Sequence, residues 1–146
     1  MAEESRAARI VALDDFRKAH RRAALEMVMA RLLGQSAELL PYEEVRRKLR
    51  ATASTDRGLQ EIPIDAIIGS VGRYTDFTRS FLPKQSEDRD RWAGVKVATT
   101  RMQGLPPIEV YQLGETYFVK DGNHRVSIAR ELGASYIQAY VIEVKT

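Results

Sequence analysis

The stretch Asp-Gly-Asn-His-Arg, residues 121–125, decides how the rest of this chain is interpreted. It follows β-forming residues 117–119 and precedes a helical segment that Gly133 can end, because glycine accepts the left-handed conformation that closes a helix. The first turn of a helix has unpaired backbone N–H groups and lies at the positive end of the helix dipole. The order strand, glycine turn, helix therefore predicts a site for an anion such as phosphate.

Each residue of this turn has a candidate role. Gly122 allows close approach of the backbone, Asn123 begins the helix, and His124 and Arg125 add side-chain donors. Asp121 is the candidate catalytic residue, which would hold a metal ion or take a proton. The structural alternative stays open, because Asp-Gly is also a common turn pair and the same side chains could be caps or solvated groups.

The composition is that of a soluble globular protein with one core. The chain has 146 residues, 44% hydrophobic and 29% charged, and no cysteine. Without cysteine there is no disulfide, thiolate zinc site or cysteine nucleophile. No apolar run approaches the length of a membrane span and no signal-peptide core is present, so we expect a cytoplasmic protein without membrane association.

The net charge of +3 lies in the first part of the chain. Residues 1–60 carry 12 Lys and Arg against 9 Asp and Glu, an excess of 3. Basic residues cluster at 17–22, which is compatible with an arm for nucleic acid or with a solvated helix face. Interleaved alanine and acidic residues favour the solvated face.

The N-terminal part reads as two helices, at residues 16–33 and after Pro41. Residues 51–60 read as a linker. We therefore divide the chain into a helical N-terminal extension, residues 1–55, and a second domain, residues 60–146. The apolar residues between 25 and 33 predict a docking element that covers the sheet or pairs with a second copy of the chain.

A glycine- and aromatic-rich loop, residues 69–83, precedes the third helix. It carries Arg73 and Arg79 among three aromatic residues. Two interpretations stay open: the aromatics pack the loop down as a structural flap, or the loop covers a ligand and directs both arginines at an anion.

The remaining elements follow from local signals. We predict a short edge strand at 62–64, a short helical piece at 65–68 and a helix from 87 that ends at Gly104. A hairpin with a two-residue turn at Gly114-Glu115 then delivers the chain to residue 121, and a final strand covers 136–144.

This order of elements, together with two motifs, resembles the ParB/sulfiredoxin-like superfamily over about residues 60–146. The segment 104–110, Gly-Leu-Pro-Pro-Ile-Glu-Val, is similar to the family's Gly-x-x-x-Pro-Ile-x-Val, with one residue fewer between the glycine and the proline. Gly-Asn-His-Arg at 122–125 stands where ParB proteins have Gly-Glu-Arg-Arg and sulfiredoxins have Gly-Cys-His-Arg. The present Asp-Gly-Asn-His-Arg is most similar to the Asp-Gly-His-His-Arg of a kinase branch.

The resemblance implies an α/β fold with a small mixed sheet and a nucleotide or phosphate site at 122–125, with Arg73 as a further contact. The implied cofactor is a nucleoside triphosphate or diphosphate with Mg²⁺, for which Asp121 is the candidate ligand. The implied function is that of a nucleotide-binding module. A more specific version is an NTPase with a regulatory or DNA-associated role. A Mg²⁺-dependent kinase and a nucleic-acid-binding regulator are the alternatives, and a homodimer is a further candidate assembly.

The departures from the family narrow these implications. Asn123 stands where sulfiredoxins have their cysteine, so sulfinic acid reduction is excluded. Asn123, His124 and Ser127 replace the glutamate and arginines of ParB proteins, so the resemblance does not extend to CTP-specific switching.

Overall fold

A computed structural model describes residues 2–102 and 105–145. Gly104, the predicted end of the third helix and the first residue of the segment 104–110, lies outside these residues. The elements in chain order are α1 (Ala2–Leu32), β1 (Leu40–Pro41), α2 (Tyr42–Lys48), β2 (Ala53–Pro63), β3 (Ile67–Ser70), α3 (Arg89–Met102), β4 (Ile108–Leu113), β5 (Thr116–Asp121), α4 (Asn123–Glu131) and β6 (Tyr136–Lys145).

The strands form one mixed sheet in the order β1-β3-β5-β4-β6-β2. The pairs β1–β3, β3–β5 and β4–β6 are parallel, whereas β4–β5 and β2–β6 are antiparallel. The expected mixed α/β fold is therefore confirmed. The predicted hairpin is confirmed too, since Leu113 pairs with Thr116 and Gly114 has a φ of 62°.

Side chains on the two faces of the sheet enter two separate hydrophobic clusters. On β5, Val119 belongs to the larger cluster and its neighbour Phe118 to the smaller one, as the alternation of a strand requires. The larger cluster contains Trp92 of α3 and Ile128 of α4, and the smaller contains Tyr42 of α2. Helices thus cover both faces, and α3 and α4 share the face that carries the main core.

The linker predicted for residues 51–60 is wrong, because Ala53–Pro63 is the edge strand β2. Ten of its residues pair with β6, from Ala53 opposite Lys145 to Pro63 opposite Tyr136. All of its side chains except Ile62 are exposed. The strand is therefore held mainly by backbone hydrogen bonds, which a polar composition does not reveal. The boundary between residues 55 and 60 falls inside this strand, although the predicted edge position of Pro63 is confirmed.

A second missed strand, β3, lies next to β5 in the interior of the sheet. The sequence predicts a helical piece that includes residues 67 and 68 and a loop that includes residues 69 and 70. In the structure the helical piece is a 3-10 turn at Ile64–Ala66, and residues 67–70 form the strand. Gly69 is required here, since a β-carbon would lie 2.3 Å from the Leu40 carbonyl oxygen. The close approach of β1 to β3 explains the glycine.

Helix α1 begins near Ala2, well before residue 16, where the sequence predicts its start. Its first half packs against α3, where Phe16 meets Trp92 edge to face at 5.7 Å. Several large apolar side chains near its C-terminal end and just after it are exposed in this single chain: Leu25, Val28, Met29, Leu32 and Leu33. A homodimer through this surface stays a prediction.

We expect the double variant Leu25→Gln/Leu32→Gln to keep the stability of a single chain within about 0.5 kcal/mol, because both side chains are already in water. Urea unfolding at low protein concentration measures this. Ala19→Gln on the buried face of the same helix is the matched control, and it should destabilise by about 1–3 kcal/mol. A loss above about 1 kcal/mol in the double variant would mean that this half of α1 contacts the fold.

Candidate functional site

The carboxyl ends of two parallel neighbours, β3 and β5, meet beside the start of α4. In open α/β sheets this edge is where ligands bind. Gly122 makes the turn with φ 115° and ψ 27°, and α4 begins at Asn123 without any side-chain cap hydrogen bond. The first intrahelical bond runs from Val126 N–H to Gly122 O at 3.0 Å, so the N–H groups of residues 123–125 have no partner within the helix.

A cavity of about 350 Å³ opens at this turn. It is lined by Gly72, Arg73, Arg91, Val95, Lys120, Asp121, Gly122, Asn123, His124 and Arg125. The structure therefore brings together six of the seven residues predicted for the site. Arg79 is the exception.

Arg79 lies away from the cavity because its side chain serves the fold. Its Nε donates to the Glu38 carbonyl oxygen at 2.7 Å, and its backbone N–H donates to Ala37 O. Phe77 and Phe81 of the same loop are buried. The second half of the loop is therefore a packed structural flap. The first half, with Gly72 and Arg73, borders the cavity.

Asn123 fixes the end of β3 to the start of α4. Its Nδ2 donates to Gly72 O at 3.0 Å, and its Oδ1 lies 2.9 Å from the Ser70 hydroxyl, which is also 2.7 Å from Gly72 O. The side-chain amide is thereby occupied, so its backbone N–H is what Asn123 can offer an anion. Trp92 holds α4 from the other side, since its indole Nε1 donates to the buried Ser127 hydroxyl at 2.8 Å.

Arg125 is tied to the walls of the cavity. One guanidinium nitrogen donates to Pro107 O at 2.6 Å and the other to Asp121 Oδ2 at 3.0 Å. The Asp121 carboxylate remains two-thirds exposed, whereas the Arg125 side chain is only 22% exposed. Arg125 therefore holds the start of β4, the end of β5 and α4 together, and Asp121 is neutralised by it.

Arg73 is similarly held by two carboxylates. It has a left-handed φ of 51°, and its NH1 lies 3.1 Å from Asp76 Oδ2 and 3.7 Å from Asp88 Oδ1. Burial raises the pKa of Asp88, as does the nearby Asp76, while Arg73 and Arg91 oppose the shift. The sequence did not single out Asp88, which is buried.

His124 is the least expected feature of the site. Its side chain is 6% exposed, packs edge to face on Phe77 at 5.1 Å, and its Nε2 is buried without a hydrogen-bond partner among the described residues. Burial lowers the pKa of His124 to about 4, and the positive charges of Arg91 and Arg73 act in the same direction. The imidazole is therefore neutral at pH 7. It can form hydrogen bonds but carries no positive charge, unlike the neighbouring Arg125.

Two cations that sequence reasoning missed, Arg91 and Lys120, complete the wall. Lys120 directly precedes Asp121 at the end of β5, so its position in sequence could have indicated it. Arg91 reaches the cavity from the first turn of α3, one helical turn before Val95. Only the packing of α3 beside α4 brings it there, and no local signal predicts that.

A larger cavity, of about 800 Å³, lies beside α2 and contains none of the predicted site residues. Its lining mixes Glu43 and Glu44 with Arg47 and Lys48. Lys48 pairs with Glu44 and Arg46 with Glu43 along α2, which is the pattern of a solvated helix face.

Within residues 2–102 and 105–145, no group of three or more His, Asp or Glu side chains is arranged to hold a metal ion. Over the same ranges, no helix has the length and apolar character that a membrane crossing requires. In the basic cluster of α1, Lys18 pairs with Asp14 and Arg22 with Glu131. Its charges are thus partly satisfied within the chain.

Comparison with known proteins gives a likeness of fold. No family model matches the chain, and no curated protein matches it. Among solved structures, sulfiredoxin from Arabidopsis thaliana matches with a TM-score of 0.44 and 20% identity, over 60% of this chain and 86% of that one. This likeness concerns the fold alone.

Proposed function

We propose that this chain binds phosphate-bearing ligands, nucleotides among them, at the N-terminus of α4. The observation that carries the proposal is the uncapped start of α4, whose first three N–H groups have no helical partner, beside a cavity that His124 and four basic residues line. Buried polar atoms without partners are rare, and the Nε2 atom of His124 is one among the described residues. Three N–H groups and the helix dipole favour an anion at this point.

The positive charges at the cavity agree with an anionic ligand. Four basic residues line it, against the carboxylates of Asp121, Asp76 and Asp88 that lie beside Arg125 and Arg73, an excess of 1. Gly122 itself is required by packing, since a β-carbon there would lie 2.6 Å from Cγ2 of the buried Ile108 and 3.3 Å from the guanidinium carbon of Arg125.

The proposal extends to Mg²⁺ in a supporting role. Magnesium bound with a nucleotide usually has one or two carboxylates, several waters and the phosphates as ligands. Asp121 fits this role as a single exposed carboxylate at the cavity edge, although it would have to share or leave its bond to Arg125. Nucleotide hydrolysis and phosphoryl transfer are more specific versions of this proposal. Asp121 would act as the base in either reaction, and for that too it would have to share or leave its bond to Arg125.

The amide NMR spectrum of the ¹⁵N-labelled chain tests the site directly. On addition of ATP, with and without Mg²⁺, we expect the largest shift changes at the amides of residues 122–125. The amides of α2, beside the larger cavity, are the internal control and should move little. A ligand at a hundred times its Kd should also raise the free energy of unfolding by about 2.7 kcal/mol.

The proposal is wrong if ATP, ADP, CTP and GTP all leave the amides of 122–125 unchanged at millimolar concentration. It is also wrong if the changes concentrate in α2, because the ligand would then occupy the other cavity.

A further inference from the structure

The cations at the cavity of α4 differ in what already holds them. Arg125 is neutralised by Asp121 at 3.0 Å, and Arg73 is held by Asp76 at 3.1 Å. The ammonium of Lys120 lies over the ring of Tyr111, 5.7 Å from its centroid, and Tyr111 packs with the smaller cluster on the face of the sheet that α2 covers. By contrast, Arg91 has no ion-pair or hydrogen-bond partner among the described residues. One positive charge, on α3, thus remains for a ligand.

This charge lies on α3, apart from the helix start that receives the first phosphate. The three backbone N–H groups of residues 123–125 can serve the oxygens of one phosphate. A ligand with a single phosphate would leave Arg91 without an anion. A chain of two or three phosphates carries enough negative charge to neutralise it as well.

The lining also lacks the surfaces that recognise a nucleobase. Bases are bound by stacking on aromatic rings and by hydrogen bonds to their edges. Among the described lining residues the one aliphatic side chain is Val95, and the one ring is the buried imidazole of His124. The amide of Asn123, the group best suited to read a base edge, is occupied by Gly72 and Ser70.

We infer that the site recognises an oligophosphate chain of two or three phosphates and is indifferent to the base attached to it. The ligand class is inorganic diphosphate or triphosphate, or the phosphate end of a larger molecule. This inference rests on the proposed function, which it narrows from nucleotides in general to the phosphate chain that they share.

Isothermal titration with inorganic phosphate, diphosphate, triphosphate, ATP, CTP, GTP and adenosine tests the inference at one fixed ionic strength. We expect triphosphate and the three nucleotides to agree in Kd within about threefold, diphosphate to follow, and single phosphate to bind at least about tenfold more weakly. Adenosine should not bind. The affinity should fall with added salt, because it is electrostatic.

A single nucleotide that binds more than about tenfold tighter than triphosphate would overturn the inference and leave the proposed function intact, because the base would then be read. Phosphate binding as tightly as triphosphate would overturn it as well. If no phosphate compound binds, both the inference and the proposed function are wrong.

The variant Arg91→Gln isolates the second part of the ligand. It should weaken triphosphate binding by about tenfold, the effect of losing one charge-assisted contact, while changing single-phosphate binding much less. Arg89→Gln is the matched control, since Arg89 lies two residues away on α3, is exposed, and pairs with Asp90 outside the cavity. Equal affinities of the two variants for triphosphate would show that Arg91 takes no part.

Discussion

Gly122→Ala is expected to destabilise the chain by about 2–6 kcal/mol, through two effects at one residue. The backbone there has φ 115°, which costs a residue with a β-carbon about 1–3 kcal/mol. The added carbon would lie 2.6 Å from Cγ2 of Ile108, which is completely buried, and overpacking of a core costs about another 1–3 kcal/mol. Urea unfolding followed by circular dichroism measures the sum.

Gly94→Ala provides the matched control. Gly94 lies in α3 without a positive φ, and an added β-carbon would have no atom within 4 Å of it, so the same substitution should stabilise by about 0.5–1 kcal/mol. The fraction of Gly122→Ala that folds should also lose phosphate ligands, because relief of the clash displaces the helix start. A destabilisation below about 1 kcal/mol would mean that the turn tolerates a side chain and does not fix the start of α4.

The second large effect is a loss of stability in mild acid. The folded-state pKa of His124, about 4, lies below its ordinary value of 6.5, because burial and the charges of Arg91 and Arg73 disfavour the imidazolium. Above pH 6.5 both states are neutral at this residue and its contribution to stability is fully present. As the pH falls from 6.5 towards 4, the unfolded chain takes up a proton that the folded chain refuses. We expect a loss of about 3 kcal/mol across this window.

Urea unfolding at intervals between pH 7.5 and 4 measures the loss, and the difference between parent and His124→Gln isolates the residue. The carboxyl of Asp88 acts in the opposite direction at the acid end, since its raised pKa lets the folded state bind a proton first. Taking the difference removes that contribution. His20→Gln, at the chain's other histidine, should leave the loss in place. A ring titration of His124 by NMR with a midpoint near 6.5 would contradict the assignment.

The sequence predicts best those elements whose signals are local. The left-handed glycines at 114, 122 and 133 lie at the predicted hairpin, helix start and helix end. Apolar and β-branched residues mark β4, β5 and β6 in the same direct way. The five residues of the turn at 121–125 meet at one cavity because they are neighbours in the chain.

The prediction failed where an element depends on a distant partner. Strand β2 has an almost fully exposed set of side chains and is defined by β6, so its Ser, Thr and Gly residues suggest a loop. Strand β3 has only four residues, too few for a pattern. In the same way, Arg91 enters the site through helix packing and Arg79 leaves it through a bond to Glu38. The spacing of residues in the local sequence predicts neither position.

The pairing of β2 with β6 sets an order of events during biosynthesis. Ala53 pairs with Lys145, so the edge of the sheet cannot close until almost all of the described chain has left the ribosome. Contacts between such distant residues also slow folding, because the intervening chain must first be ordered. Until then β2 is an unpaired strand, and its Asp56, Arg57 and Glu61 keep it hydrated. The charged, polar sequence of β2, which is typical of a linker, thereby protects the nascent chain from edge-to-edge aggregation.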